Sequence, residues 1–340
     1  MYKVAAKAWR QHTLLNLKQR RNSGFTLMEL LVAIVMSSMV VSGLLYLVVE
    51  LLRIDNRETA LEEVQRDTQR AMNYMADELR EAVYVYQGQQ LADVTASGTG
   101  VGDALPAGST PVLAFWKVSP ISENQMPTAD CDTAFPGAAN IQRNRACLAL
   151  RIRRASYNLV VYSQINGASD PWVGQSRISR YVLSQYADVS TVTQNPGYVD
   201  PGLQATSFEG WQTLPLLPGE ELPRTSSVLV DHIAGAGASA NPVDCQALTL
   251  SGSPNDYVLS PPNAPEDSSF FACIRDPNSI TTVTQAGVST SRSNQDVYLF
   301  LRGDTSGRST STSPASATSR SPMLQTQVLV RGLINKDPND

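Results

Sequence analysis

The chain has 340 residues, of which 42% are hydrophobic and 17% are charged. This composition can build one or two folded domains, and it excludes a wholly disordered protein. The net charge of −4 argues against a nucleic-acid binder. Residues 1–24 contain no acidic residue, and without them the chain has a net charge of −10. We therefore expect these 24 residues to behave differently from the rest of the chain. Their six basic residues are Lys3, Lys7, Arg10, Lys18, Arg20 and Arg21.

A long apolar run follows this basic block. From Leu30 to Val49 the chain has 20 residues without a charge. A helix of that length covers about 30 Å, the thickness of the hydrocarbon core of a bilayer. The sequence therefore predicts one membrane span. The basic block before it predicts a cytoplasmic N-terminus and an extracytoplasmic remainder.

An ordinary secretory signal peptide is the alternative to a retained span. Its apolar region is typically about 7–15 residues long, which is shorter than this run. No clear small-x-small cleavage pattern follows the run either, and the chain continues with a helical pattern. These observations favour a segment that stays in the mature protein.

Glu29 stands at the beginning of the apolar run. Placing a carboxylate at membrane depth costs free energy. A residue of this kind is therefore expected to have a functional role. The simpler interpretation is a carboxylate at the headgroup level that marks the start of the helix. Its position alone does not separate the two.

The residues around Glu29 resemble the class III signal of type IV pilins and type II secretion pseudopilins. The shared features are a basic leader, the Gly24-Phe25 junction, Glu29 at the fifth position after the glycine, and a long apolar segment directly afterwards. The resemblance implies that a prepilin peptidase cuts between Gly24 and Phe25 on the cytoplasmic side. It also implies that the new amino group of Phe25 is N-methylated and that the apolar segment is kept.

The same resemblance gives Glu29 a role in assembly. Cleavage creates a positive amine at Phe25 near the membrane, and pairing it with Glu29 would relieve two costly charges. In the family, this pairing is thought to draw a new subunit in beside its neighbour. The implied partners are other pilins or pseudopilins through the N-terminal helix, the prepilin peptidase, an inner-membrane platform protein and a cytoplasmic assembly ATPase.

A helical pattern continues beyond the span. Apolar residues recur at steps of three or four, with Thr68 as the weak member, and this spacing predicts one helix from about 26 to 87. Charged residues, Glu78 among them, are assigned to its other faces. The apolar stripe is broader than a coiled-coil seam, so we expect it to pack on a sheet rather than to form a free coiled coil. The stripe consists of Leu61, Val64, Thr68, Met72, Met75, Leu79, Val83 and Tyr86.

After Gln87 the sequence is typical of a β-rich domain, because short apolar runs alternate with Gly, Pro, Ser and Asn. We therefore expect an α+β, pilin-like fold in which the long helix packs on an antiparallel sheet. Strands are predicted at 111–118, 147–154, 157–165, 177–186, 226–233, 270–275, 280–284, 295–302 and 323–331. The predicted regions are a cleaved leader (1–24), a span (25–50), an amphipathic helix (51–87) and a β-rich head (88–340).

Two segments of the head have a composition that predicts loops. Eleven of the 17 residues from Thr305 to Ser321 are Ser or Thr, which indicates a mobile loop, and we place its limits at 303–322. Residues 187–222 are rich in Pro and Gly and predict a long excursion.

The four cysteines, Cys131, Cys147, Cys245 and Cys273, all follow the span. In an oxidising compartment an even number favours disulfides, and three pairings are possible. We favour Cys131–Cys147 and Cys245–Cys273, because each closes a loop within its own group of strands. A metal site is the alternative, but the chain has no CxxC spacing and only two histidines, one of which is His12 in the leader.

Other candidate chemistry is sparse, so we expect no enzymatic activity, no cofactor and no metal. Strand alternation places Asp231 and His232 on opposite faces, which argues against a dyad. The Gly-rich stretch 97–102 lacks the context of a phosphate loop. Asp130 and Asp132 are too few to establish a calcium loop, although some pseudopilins carry one. Trp116, Trp172 and Trp211 are more typical of a core than of a sugar-binding face.

The chain is about twice as long as an ordinary major pilin, which suggests a minor subunit. Its long helix resembles that of minor pseudopilins of the J and W type. Short motifs at 71–86, 111–117, 270–274 and 298–303 resemble cyanobacterial pseudopilins linked to hormogonium polysaccharide secretion and gliding. This implies a non-catalytic subunit of the inner membrane, single-pass, that joins a periplasmic pseudopilus. The alternatives are a membrane-anchored glycan-binding or enzymatic head, and a minor type IV pilus subunit for adhesion or twitching.

Overall fold

The computed structural model describes residues 24–202, 208–235, 244–248, 257–263, 268–276, 295–306, 308 and 321–331. Residues 1–23 of the predicted leader, the predicted strand 280–284 and most of the predicted loop 303–322 lie outside these ranges. The chain divides into two compact units, Met1–Asp55 and Asn56–Asp340.

One long helix, α1, runs from Leu27 to Arg80. It is followed by α2 (Gly88–Val94), α3 (Cys131–Ala134) and α4 (Ile141–Arg153). Short 3₁₀ helices lie at Gly102–Ala104, Glu123–Gln125, Ala138–Asn140, Phe208–Gly210 and Cys245–Leu248.

The strands that the structure describes pair antiparallel, so the expected α+β, pilin-like fold of a long helix followed by antiparallel sheets is confirmed. A five-stranded sheet has the order β1-β2-β3-β4-β7, and a four-stranded sheet has the order β11-β10-β9-β8. The strands are β1 (Ala82–Val85), β2 (Ser109–Pro120), β3 (Ala155–Asn166), β4 (Ser176–Leu183), β5 (Tyr186–Asp188), β6 (Thr193–Gln194), β7 (Ser227–Ile233), β8 (Tyr257–Ser260), β9 (Phe270–Arg275), β10 (Asp296–Leu301) and β11 (Leu324–Leu329).

The main core joins the second half of α1 to both sheets. The stripe residues Met72, Met75 and Leu79 are buried there beside Phe115 of β2 and Leu299 of β10. The expected packing of the amphipathic helix on a sheet is therefore confirmed. A second core covers the other face of the five-stranded sheet. Residues of α2 pack there together with Tyr198, Trp211 and Leu222.

Thr68 is fully buried although it is the polar member of the stripe. Its hydroxyl donates to the carbonyl of Val64 at 2.7 Å, which satisfies it inside the helix. Gly303 lies against the same turn, where a Cβ atom would stand 2.4 Å from Val64 Cγ1. The helix can approach this part of the head closely because the residue facing it has no side chain.

Two sequence predictions about these elements are wrong. The helix ends at Arg80 and not near 87, because the β-branched and aromatic run Ala82–Val85 pairs with β2 as an edge strand. The predicted strand 147–154 is part of helix α4. Its alternating pattern also fits a helix that buries Cys147 and Leu150, one turn apart on its inner face.

The two sheets are linked by side-chain hydrogen bonds and by one described backbone bridge. The amide of Gln295 accepts from the backbone N–H of Val85 and donates to its carbonyl, both at 3.1 Å, as a neighbouring strand would. A β-bridge between Ile233 and Gly303 joins β7 to the chain after β10. The buried hydroxyl of Ser260 donates to the carbonyl of Val112 at 2.6 Å, at an irregularity in β2.

Candidate functional site

The N-terminal motif lies where α1 begins. Gly24 and Phe25 precede the helix and are exposed, Phe25 by 77%. The backbone N–H of Glu29 donates to the side-chain oxygen of Thr26 at 3.3 Å and to its carbonyl at 3.1 Å. Thr26 and Glu29 thus have the spacing of a capping box, and the carboxylate lies in the first turn, where the helix dipole favours negative charge. Local helix formation alone therefore gives one reason for an acid at this position.

The apolar part of α1 is exposed along its length. Its large side chains from Leu27 to Ile54 expose between 43% and 84% of their surface. The hydroxyls of Ser37, Ser38 and Ser42 donate to backbone carbonyls within the helix, at 3.0, 2.8 and 2.7 Å, so these polar groups need no water. This helix is long and apolar enough to cross a membrane, and it fits a single-pass anchor.

A buried charge cluster holds the last turns of α1 to the five-stranded sheet. Glu78 is 6% exposed, and its carboxylate accepts hydrogen bonds from Lys117 on β2, Tyr162 on β3 and Arg180 on β4. Tyr162 and Arg180 are directly opposite each other in the β3–β4 register, which places both on one face of the sheet. Three neighbouring strands therefore converge on one carboxylate.

Two opposing effects set the pKa of Glu78 in this cluster. Burial alone would raise the pKa of Glu78, but the hydrogen bonds from Arg180, Lys117 and Tyr162 outweigh it and lower the pKa to about 2. Glu81 adds a carboxylate 3.4 Å from Lys117. Glu78, assigned from the sequence to a face outside the apolar stripe, is buried, because burial here depends on partners from three strands that are distant in sequence.

Both predicted disulfide pairs are present. Cys131 of α3 is bonded to Cys147 of α4, and Cys245 is bonded to Cys273 of β9. All four cysteines lie in small satellite cores. Among the residues that the structure describes, no group of three or more His, Cys, Asp or Glu side chains could hold a metal ion.

Asp231 and His232 are closer than strand alternation predicts. His232 has a φ of +61°, and the β4–β7 register shifts beside it. The bulge brings Nε2 of His232 to 3.7 Å from Oδ2 of Asp231. The same Asp231 oxygen accepts from the N–H groups of Val173 and Gly174 at 3.2 and 3.1 Å, so this carboxylate holds a loop in place.

The remaining candidate residues from the sequence analysis make contacts that stabilise the fold. Asp130 lies 3.5 Å from Arg151, and Asp132 accepts from Asn144 at 2.8 Å. The Gly-rich stretch folds back on the end of α2, where Gly100 donates to Ala96. Trp116 and Trp211 are buried and contact each other edge to face at 5.1 Å.

A cavity of about 410 Å³ opens between α2, β2 and β3. Its apolar lining includes Leu91, Val112 and Phe270, and the polar side chains that line it among the described residues are uncharged. No sequence pattern points to this cavity, because its walls come from segments up to 179 residues apart along the chain (from Leu91 to Phe270). Its size is within the range of small-molecule pockets. The polar side chains are Thr95, Thr110, Gln164, Asn166, Asn263 and Ser268.

Comparison with protein families identifies the N-terminal motif. Residues 19–45 match the model of the prokaryotic N-terminal methylation motif. Comparisons with curated proteins and with solved structures found no significant match. The matched residues include Gly24, Phe25 and Glu29 and most of the exposed apolar helix. A methylation motif that leads into a membrane-length helix and a β-rich head indicates that this chain is a subunit of the pilin or pseudopilin type.

Proposed function

We propose that this chain is a minor pseudopilin, a non-catalytic structural subunit of a type II secretion or type IV pilus-like apparatus. The observation that carries the proposal is the methylation motif at residues 19–45, continuous with an exposed apolar helix. A surface of this kind requires lipid or other apolar helices around it. A subunit that is first inserted in a membrane and then assembled into a fibre has lipid around this helix at the first stage and other apolar helices at the second.

In this proposal, a prepilin peptidase removes residues 1–24 and the amino group of Phe25 is methylated. The span then covers residues 25–50, with the N-terminus on the cytoplasmic side and the head outside. The carboxylate of Glu29 pairs with the Phe25 amine of a neighbouring subunit during assembly. The exposure of Gly24 and Phe25 supports this, since the peptide bond between them is accessible to an enzyme.

The finer assignment is a minor pseudopilin of the J or W type in an inner-membrane machine that exports polysaccharide and supports gliding. Its support is the size of the head and the resemblance of short motifs in this chain to those of cyanobacterial pseudopilins. The partners would be other pseudopilins, the peptidase, a platform protein and an assembly ATPase.

The proposal is tested at the mature N-terminus and at Glu29. Mass spectrometry of the protein from a host with a prepilin peptidase should find a chain that begins at methylated Phe25. Glu29→Ala should abolish incorporation into fibres but leave membrane insertion intact. Glu50→Ala, an acid beyond the apolar run, is the matched control and should assemble normally. A chain that still begins at Met1, or full assembly of Glu29→Ala, would contradict the proposal.

A second candidate function is a glycan-binding head on a pilin-type anchor, and the 410 Å³ cavity favours it. Uncharged hydroxyl and amide groups beside apolar side chains suit a neutral sugar. Titration of the full chain with neutral oligosaccharides, compared with a variant in which Thr110→Trp fills the cavity, tests this. Binding that the variant loses would support the glycan-binding head, and the absence of binding would remove it.

A further inference from the structure

The cavity between α2, β2 and β3 is lined by one buried carboxamide whose orientation is fixed. Gln164 lines the cavity and is 7% exposed. Its nitrogen, Nε2, donates to the carbonyl of Ala234 at 3.2 Å and to the hydroxyls of Ser176 and Ser269 at 2.9 and 3.1 Å. Because a carbonyl can only accept, the nitrogen of the carboxamide and not its oxygen must face Ala234.

The two serine hydroxyls support the same orientation. Ser176 donates to the carbonyls of Ile233 and Ala234 at 3.1 and 3.0 Å. Ser269 also donates to the carbonyl of Ala234. Each hydroxyl has a single proton, so both serines act as acceptors toward Gln164. The carboxamide therefore cannot turn over without losing the hydrogen bonds of its nitrogen.

The oxygen of this carboxamide is left for a ligand. Among the residues that the structure describes, no N–H or O–H group donates to Oε1 of Gln164. Since the nitrogen is held by its three acceptors, Oε1 is the polar side-chain atom that Gln164 offers to the cavity. An unpaired acceptor in a site from which water is displaced costs free energy, so the cavity favours a ligand that brings a hydrogen-bond donor.

The walls around this acceptor are apolar and uncharged. Leu91, Val112 and Phe270 form an apolar wall. Thr110 also lines the cavity, and it lies directly opposite Gln164 in the β2–β3 register, which places the two side chains on the same face of the sheet. The described lining contains no charged side chain, so nothing in it pairs with the carboxylate of a uronic acid or with the ammonium group of a free amino sugar.

We propose that this cavity binds an N-acetylated amino sugar and that Gln164 recognises its acetamido group. The N–H of that group donates to Oε1 of Gln164, its methyl group packs on the apolar wall, and the neighbouring ring hydroxyl bonds to Thr110. An acetamido group combines a donor and a methyl group in one uncharged substituent, which a plain hexose lacks. The inference rests on the second candidate function, the glycan-binding head, and it narrows the ligand from neutral sugars to this class.

The first test changes the ligand and leaves the protein intact. The full-length chain, in a detergent without sugar groups, is titrated by calorimetry with three methyl glycosides: that of N-acetylglucosamine, that of 2-O-acetylglucose and that of glucose. The ester keeps the methyl and carbonyl groups of the acetamide but has no N–H, so it leaves Oε1 of Gln164 unpaired. We expect its Kd to be about tenfold higher than that of the acetamide. Methyl glucoside, which also lacks the methyl group on the apolar wall, should bind no better than the ester.

A second test assigns the preference to Gln164. Gln164→Met removes both polar atoms of the carboxamide and should abolish the tenfold preference for the acetamide over the ester. Gln325→Met, the same exchange at an exposed position of β11, is the matched control and should keep the preference. Thr110→Val should weaken the binding of all three glycosides without changing the preference, because it removes a hydroxyl that is not at the acetamido group. Thermal unfolding checks that each variant is folded, and the comparison of ligands stands even if Gln164→Met is not.

Several results would overturn the inference. Equal affinity for the acetamide and the ester, tighter binding of methyl glucoside, or a preference that survives in folded Gln164→Met would each reject an acetamido site and leave the glycan-binding head standing. If none of the three glycosides binds, and the neutral oligosaccharides do not bind either, the glycan-binding head fails together with this inference. The pseudopilin assignment is tested separately, at the mature N-terminus and at Glu29.

Discussion

Glu78 and Arg180 form a two-pronged ion pair between the last turns of α1 and the middle of β4. Nη2 of Arg180 lies 2.7 Å from Oε1 of Glu78, and Nε lies 2.8 Å from Oε2. Parallel hydrogen bonds of this kind fix direction as well as distance. Because Tyr162 and Lys117 bind the same carboxylate from two further strands, the pair sets the rotation of the helix on the sheet.

Removing the charge of Glu78 should destabilise the head strongly. Glu78→Gln leaves Arg180 and Lys117 largely buried without their main counter-charge, and loss of one partner of such a pair costs about 3–5 kcal/mol. Thermal unfolding of the full chain in detergent measures the effect. Glu81→Gln is the matched control, because Glu81 is exposed and its pairing with Lys117 should contribute less than about 1 kcal/mol. Equal losses for the two variants would contradict this account of the cluster.

The same carboxylate should make stability depend on acid pH. Folding holds the pKa of Glu78 at about 2, against an ordinary value of 4.5. Between these values the unfolded chain binds the proton more readily, so the stabilisation is complete above pH 4.5 and is lost as the pH falls toward 2. The loss should be about 3 kcal/mol.

The pH dependence is isolated by subtraction. The difference in unfolding free energy between the wild type and Glu78→Gln should shrink as the pH is lowered through this range, because the variant has no proton to gain at position 78. A difference that stays constant from pH 6 to pH 2.5 would refute the assignment of the low pKa to Glu78.

Gly303 should tolerate no side chain. In Gly303→Ala the new Cβ would lie 2.4 Å from Val64 Cγ1 and 3.0 Å from Thr68 Cγ2, and crowding of this kind typically costs about 1–3 kcal/mol. Trimming Val64 to Ala in the same chain should recover part of the loss, because it removes the atom in the way. Strictly additive effects of the two substitutions in chemical denaturation would show that they do not meet.

Several features could be read directly from the residue pattern. The uncharged run from Leu30 to Val49 predicts a membrane-length helix, and the three-and-four spacing from Val64 to Leu79 predicts the buried stripe. Both depend on neighbours close in sequence, whose side chains share a face once the helix forms. The pairing of cysteines within local loops follows from the same short separations.

The residue pattern predicts the wrong local structure where that structure depends on contacts with residues that are distant in sequence. Alternation in residues 147–154 is compatible with a strand, yet the bond from Cys147 to Cys131 and the burial of Leu150 accompany a helix there. Asp231 and His232 approach each other only because the register of β7 shifts against β4. A bulge of this kind leaves no mark in a single sequence.

By itself, the sequence determined that this protein has a basic N-terminal segment, a methylation motif, a membrane-length apolar helix and a β-rich head. These are properties of contiguous residues, whose hydrophobicity and charge are the same in any fold. Only the tertiary structure decided that Glu78 is buried and that Gly303 faces α1. Each of these depends on which strands and helices become neighbours, and that follows from the packing of the whole head.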